Sequence, residues 1–387
     1  MIFLLLMGTS FILCLFYVKD YSTVSYLENG GSKIIYGKEA FLEQNNLEYK
    51  KEYKVLNNSL INFIISNLKR IRNETNETNE EFYKNLAPYS QGWYIVERIC
   101  KDSGDKLNID NNGKNNFYEL RKQIISEKIK NLEGPDKYIF LKENENIEEP
   151  FSYYPMNGWS QMLSNLAMLQ MFILIILGIF SSMNFSVLYE TNAIAIIGIT
   201  KKGSSNLVTY KILSYIFVNL IIYFLCIGFY LFLSFQYISK MGGNSAIQLI
   251  SLYSPYNLTL KDILRRMMIY GFCGCIYITI LSSFFSFIMK NSVRSIGSVI
   301  FIGIIYIIEN YYIKGIHNGI FQFFHNLIAI LPFSSADIYY RFLQYDSINI
   351  FGKTFLTIKI LIPCYLLISL FIYIFMKYKF RNSNRRS

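Results

Sequence analysis

The residues whose types and spacing could do work lie between Phe185 and Lys211. Glu190 closes a long apolar run, and the apolar stretch Ala193 to Gly198 and Ile199 follows it. Then come Lys201, Lys202 and Gly203, and Lys211 opens the next apolar run. This order predicts a short helix lying along a membrane face. An anion such as Glu190 suits the positive N-terminal pole of a helix. Lys201 and Lys202 suit the opposite pole and anionic lipid headgroups, and Gly203 permits a turn back into the bilayer. The chemistry implied is mechanical: a rigid helix here can carry a push from a soluble partner to the apolar runs on either side.

Other chemistry is sparse. Gly198-Ile-Thr-Lys-Lys-Gly203 is followed by Ser204 where a phosphate-binding loop requires Lys. Gly352-Lys353-Thr354 has Ser347 in place of the upstream Gly. Neither is a nucleotide-binding loop, so any ATP used belongs to another chain. The two histidines, His317 and His325, have no carboxylate or Cys close by in the sequence. They read as interfacial stacking residues, and no metal site is expected. Glu309 is the one acid near the interior of an apolar run. At 1.5 Å per helical residue it lies about 20 Å from Ser295, near the far membrane surface. An interfacial structural role is expected for it, with a place in a translocation path as the alternative. Cys100 stands alone in the polar part of the chain, and the other five Cys lie in apolar runs as packing residues. No catalytic constellation is visible, so the chain reads as a non-enzyme without a cofactor of its own.

The elements that must position these residues are apolar helices. The 387 residues are 52% hydrophobic, 17% aromatic and 17% charged, yet carry a net charge of +11. Soluble domains carry about 25% charge, so the composition points to an integral membrane protein and nearly excludes a soluble one. The surplus charge is not spread evenly. Between Lys19 and Asn157 there are 20 basic and 22 acidic residues, and the rest of the chain holds 18 basic against five acidic. Those five are Glu190, Asp262, Glu309, Asp337 and Asp346. The bases gather at Lys201, Lys202 and Lys211, at Lys290 and Arg294, and from Lys377 to Arg386. Each group flanks a long apolar run, so nucleic-acid binding is a poor reading of the charge.

A membrane helix needs about 20 mostly apolar residues. Six segments are expected to span: Ile2 to Val18, Met162 to Val187, Leu207 to Phe235, Met267 to Met289, Ile296 to Ile313 and Leu356 to Met376. The expected fold is thus an α-helical polytopic membrane protein with six transmembrane helices. An α or α+β extracellular domain (19–157) is inserted between the first two, and a five-helix transmembrane domain (158–378) carries the cytoplasmic loop 188–211. A basic cytoplasmic tail (379–387) follows. Placing the basic clusters inside puts both termini in the cytoplasm. Lys261, Arg265 and Arg266 then fall on the outer side as the exception. Within the polar part, Leu60, Ile64, Leu68 and Ile71 predict a helix, as do Phe117, Leu120, Ile124 and Leu132, stopped by Gly134-Pro135. Trp93 to Val96 reads equally as a short strand or a buried helix face. The abundance of Ile, Asn, Lys and Tyr suggests an AT-rich bacterial genome and hence a bacterial cytoplasmic membrane.

The Glu190 to Lys211 pattern, the six-span order and the Leu331-Pro332-Phe333 element between spans five and six together resemble the permease subunits of type-2 ABC exporters. The resemblance covers span one and Met162 to Tyr378. It extends to a branch of that family with a large extracellular domain between the first two spans. It differs at Ile199, where a small polar residue usually follows the Gly. The resemblance implies that Glu190, Gly198, Lys201, Lys202, Gly203 and Lys211 couple the chain to ATPase subunits, which hold the ATP and magnesium. It implies pairing as a homodimer or with a related permease, contact with membrane lipids, and short, partly re-entrant outer helices across Phe321 to Leu343. The function implied is export of a hydrophobic or amphipathic cargo such as a lipid, peptide or antibiotic. The alternative is a mechanotransmitting or sensory membrane protein that acts through its extracellular domain without translocation.

Overall fold

The computed structural model describes residues 6, 8–13, 22–26, 32–49, 54–73, 87–110, 113–132, 134–309, 319–350 and 353–383. The chain is mostly helical. The polar part opens with an antiparallel hairpin, β1 (Ser22–Tyr26) and β2 (Ser32–Tyr36), with Val24 opposite Ile34. The described residues then form the helices α1 (Gly37–Tyr49), α2 (Asn58–Asn73), α3 (Ser90–Asp102), α4 (Phe117–Lys128) and α5 (Gly134–Glu145). Their apolar stripes, among them Leu60, Ile64, Ile95, Ile99, Leu120 and Ile124, close on one core. Trp93 to Val96 lies within α3, so the helix reading of that stretch is the right one. Gly134-Pro135 does not stop α4, which ends at Lys128. It starts α5, where Gly134 takes a positive φ of 50° and Pro135 needs no hydrogen bond from its nitrogen.

Among the described residues, four stretches are long and apolar enough to cross a membrane: Trp159–Glu190, Asn206–Ser234, Leu260–Met289 and Thr357–Asn382. They correspond to α6 (Trp159–Ser181) with the short α7 (Ser186–Glu190), to most of α9 (Lys201–Ser234), to α10 (Leu260–Met289) and to α14 (Thr357–Ser383). The seven-residue α8 (Ala193–Ile199) sits between α7 and α9. Helix α11 (Ser292–Ile308) is apolar and 17 residues long, and the rest of the fifth expected span, beyond Glu309, lies outside the described residues. The first expected span lies mostly outside the described residues. The rest of the chain forms α12 (Gly319–Ala329), a buried turn at Pro332–Ser335, α13 (Ile338–Leu343) and the hairpin β3 (Ser347–Ile350) and β4 (Lys353–Leu356).

Helix α10 is the centre of the bundle, packed by α6, α9, α11, α14 and the Pro332–Ser335 turn. Its sequence explains this. Gly271, Gly274, Cys275, Thr279, Ser282, Ser283 and Ser286 put small or weakly polar groups on its buried faces, which lets neighbouring backbones approach closely. At Gly274 a methyl group would overlap the Ser335 side chain, so the turn reaches the middle of α10 only because glycine is there. Asn219 of α9 donates to Ser181 Oγ on α6 and to Thr279 Oγ1 on α10, each at 2.7 Å, tying three helices together.

Helix α6 starts at Trp159 beside the polar part and runs 23 residues, about 34 Å at 1.5 Å per residue. The bundle therefore has a polar-domain end and a Glu190 end. At the first, Arg121 Nε donates to Leu252 O (2.9 Å), Tyr253 OH to Asp102 (2.5 Å) and Lys359 Nζ to Glu143 (2.6 Å). Lys261, Arg265 and Arg266 also lie there, in the first turns of α10. Thr259 and Asp262 cap that helix reciprocally, and Arg266 lies over the Phe342 ring. These three bases share the end that holds the polar domain, as the alternation of spans requires.

Candidate functional site

At the Glu190 end the chain turns sharply after α6. Ser286 Oγ of α10 accepts from the backbone N–H of Phe185 (2.8 Å) and of Ser186 (2.7 Å). Asn184 donates to Ser283 Oγ (3.0 Å), and the Ser186 and Ser292 hydroxyls meet at 3.0 Å. Glu190 completes the clamp. Its carboxylate accepts from Ser292 N at 2.7 Å and from Ser292 Oγ at 2.9 Å. Ser292 is the first residue of α11, whose N-cap is Asn291. An acid was expected at a helix N-terminus, and Glu190 is at one, but it is that of α11. Within its own helix, α7, Glu190 is the last residue. The dipole argument holds, and the helix it concerns is a hundred residues further along the chain.

The basic turn also differs. Lys201 and Gly203 lie in the first turn of α9, so Gly203 continues a helix and makes no turn. The change of direction falls at Thr200, whose φ of −77° and ψ of 138° are extended. The side chains at Gly198, Lys201 and Lys202 are outside the described set. Lys211 sits in the third turn of α9, with its ammonium 5.9 Å from the centre of the Tyr215 ring. Lys290 lies over Tyr189 at 5.1 Å, so a base flanks the clamp from the α10 side. The surface here is apolar as well: Ile196 of α8 is 72% exposed and Val293 of α11 is 77% exposed. Exposed apolar side chains beside a polar clamp offer one place for a contact, alongside the apolar faces that the spans expose along their length.

The polar-domain end holds a second cluster. Glu309, directly after α11, is 2% exposed and bonds His325 Nδ1 at 2.5 Å. His325 Nε2 is 3.8 Å from Asp346, and Asp346 pairs with Arg341, itself 3% exposed. Tyr306 OH donates to Asp337. The expectation that His325 lacks carboxylate partners is therefore wrong: α12 and the β3 hairpin fold back to bring two. Asp346 first, then Glu309, raise the imidazole to about 9 against the opposing pull of burial. By contact distance Glu309 is the nearer partner. His325 is thus a cation at neutral pH, paired with Glu309. His317 lies outside the described residues. Among the described residues no three His, Cys, Asp or Glu converge as a metal would require.

Between the two ends a groove of about 600 Å³ opens along α6, α11 and α13. Met168, Met171 and Phe172 of α6 line one side, Tyr306 and Ile307 another, and Asp337 and Tyr340 the end nearest the polar domain. Glu309 is not among its lining residues. Sequence reasoning missed Ser292, His325, Asp346 and Asp337. The available signal was that Glu309, Asp337 and Asp346, three of the five acids of the apolar part, fall within 40 residues of one another, together with Arg341 and His325.

No family model, curated protein or solved structure matches this chain.

Proposed function

We propose that this chain is the membrane-spanning permease subunit of an ABC exporter of the type-2 kind, moving an amphipathic cargo with energy from a separate ATPase. The observation that carries the reading is the Glu190 clamp: one carboxylate joins the loop after α6 to the first turn of α11, next to the exposed apolar α8. A soluble subunit docking on Ile196 and Val293 would move α8. The clamp would pass that movement to α6 and α11, whose facing sides form the groove, and alternation between two packings of these helices would give alternating access. In this reading the Glu190 end is cytoplasmic, the polar domain is external, and ATP and magnesium sit on the partner. A second copy or a related permease completes the pathway in a bacterial cytoplasmic membrane. Glu190, Gly198, Lys201, Lys202, Gly203 and Lys211 belong to the docking region.

The chain, purified with its native partners, is expected to carry magnesium-dependent ATPase activity. Ile196→Asp is expected to remove that activity from the preparation, and Glu190→Ala to leave the ATPase bound while uncoupling cargo export. A preparation without ATPase activity, or export untouched by both substitutions, contradicts the reading.

A second reading is favoured by the bonds from the polar domain to the inter-span segment at Leu252 and Tyr253 and to the first turn of α14 at Lys359. Such contacts suit a mechanotransmitting or sensory protein that moves its domain and no cargo. Under that reading Glu190→Ala changes polar-domain reactivity and leaves the distribution of every small molecule unaltered.

A further inference from the structure

Helix α1 meets the spans through a face that is polar although buried. Gln44, Asn45 and Glu48 are each more than nine-tenths buried. Asn45 Nδ2 donates to Tyr237 O at 2.9 Å, just past the end of α9, and Lys38 Nζ lies 5.8 Å from the centre of the Tyr237 ring. Glu48 meets the segment that leads into α6, where its carboxyl faces the backbone of Met156 and Asn157. The turn after α9 lies against the same segment. At Gly242 a methyl group would overlap Pro155 O and Met156 Cα, and Trp159 Nε1 donates to Ser239 O at 2.7 Å. Helix α1 therefore rests on the polar-domain ends of two spans at once.

The surroundings of the Glu48 carboxyl are neutral. Gln44 Nε2 (3.2 Å) and Ser90 Oγ (3.3 Å) donate to Oε1, and Oε2 is buried without a side-chain partner. The titratable groups nearby are phenols: Tyr153, with Tyr89 beside it, and burial pushes Tyr153 up so that it stays uncharged. Of the other charges on α1, Lys38 and Glu39 are exposed and Glu43 is partly so. On α3, Glu97 pairs with Lys101 and Arg98 with Asp102. The segment Phe151 to Gly158 has no charged residue. Among the described residues no cation pairs with Glu48. Burying a carboxylate without a cation is costly, and the cost falls on the ionised form alone. Burial thus raises Glu48 from 4.5 to about 7, against the weaker pull of the Gln44 and Ser90 bonds. The protonated acid suits the site, whereas the ionised one is relieved by moving toward water.

We infer that Glu48 is a proton-binding site that links the polar domain to α6 and α9. With the proton bound, α1 is seated on Met156 and Asn157. When the proton leaves to solvent, the seat loosens and the hold of the domain on both spans weakens. This joint is common to both readings of the function, and its test needs neither ATPase nor cargo.

The test uses the full-length chain in neutral detergent. Trp93 and Trp159 are its two tryptophans, so in Trp93→Phe the emission comes from Trp159 at the joint. Emission is expected to change in one step with a midpoint near 7, with helical ellipticity unchanged. In Trp93→Phe with Glu48→Gln the step is expected to vanish, and emission to stay at its low-pH value. Amide exchange at Met156 and Asn157 in the unaltered chain, measured against Glu48→Gln at each pH, is expected to quicken at least about tenfold between about pH 6 and pH 8. His325→Gln is expected to leave the step in place. A step that survives Glu48→Gln overturns the inference, as does emission independent of pH in the Glu48 chain. A step accompanied by loss of helical ellipticity reports unfolding and overturns it too. If Trp93→Phe does not fold, the exchange comparison decides, and Glu48→Met replaces Glu48→Gln should that variant not fold. Failure here leaves the ATPase-docking experiment on Ile196 and Glu190 unaffected, so the two fall separately.

Discussion

Both ends of the bundle carry a glutamate where an apolar helix stops, and the two are held in opposite ways. Glu190 is exposed and bonds a neutral serine at the start of another helix. Glu309 is buried and bonds a protonated histidine, within reach of a second, buried ion pair. An exposed bond of the first kind is made and broken cheaply, because water replaces either partner. Buried charges of the second kind cannot part without stranding one of them in a low-dielectric interior. The polar-domain end is therefore the more firmly anchored end and the Glu190 carboxylate the more movable link, an asymmetry that the proposed carrier would use.

The contrast is sharpest for Arg341. Arg341→Met leaves Asp346 with the more distant His325 as its cation and is expected to cost about 3 kcal/mol, the lower end for breaking one side of a buried pair, read as a lowered Tm of the purified chain. A loss below 1 kcal/mol would mean that the anchored end is not anchored.

The pH dependence comes next. His325 is raised from 6.5 to about 9 in the folded chain, so its contribution to stability is complete below about 6.5 and is lost as pH rises through 9. Glu48, pushed up by burial from 4.5 to about 7 at the junction with Met156 and Asn157, loses its contribution earlier, as pH rises from about 4.5 through 7. Unfolding midpoints measured from pH 5 to 10 should therefore fall in two stages. His325→Gln should abolish the upper one only. An upper stage that survives in His325→Gln would break the assignment.

At the movable end the effects on stability are smaller. Glu190→Ala removes a carboxylate from a helix N-terminus and should cost about 1 kcal/mol; under the proposed export reading its effect on transport is the larger one. Asn219→Ala, which unties three helices in the interior, should cost about 0.6 kcal/mol and at most about 1.7, the range measured for hydrogen bonds inside membrane bundles. Comparable stability losses for Glu190→Ala and Arg341→Met would erase the distinction between the ends.

Much of this was legible in the residue order, and the limits have physical causes. Apolar runs of 20 or more residues marked the four long helices, because hydrocarbon thickness demands that length. The run Ile296 to Ile313 was read too late at its start: α11 begins at Ser292, where Asn291 supplies a cap that hydropathy ignores, and the part of the run beyond Glu309 lies outside the described residues. Glu190 was singled out as an acid among bases, yet its partner was not, since Ser292 is an ordinary residue whose role comes from a contact across 102 positions. Gly203 was read as a turn on its identity alone, although the helix continues through it and the extended residue is Thr200. His325 shows the same limit in reverse. A histidine flanked by apolar neighbours in sequence gains two carboxylates only when α12 and the β3 hairpin fold onto the end of α11.

The measurement that bears most directly on the account is the sidedness of its two ends. In a chain whose native cysteines are replaced, Ile196→Cys on α8 and Tyr138→Cys on α5 both place a thiol at an exposed position. A membrane-impermeant maleimide applied to intact cells should label position 138 at once and position 196 only after the membrane is opened. Labelling of position 196 from outside, with position 138 protected, would put the Glu190 clamp on the wrong face for any ATPase and would contradict the account.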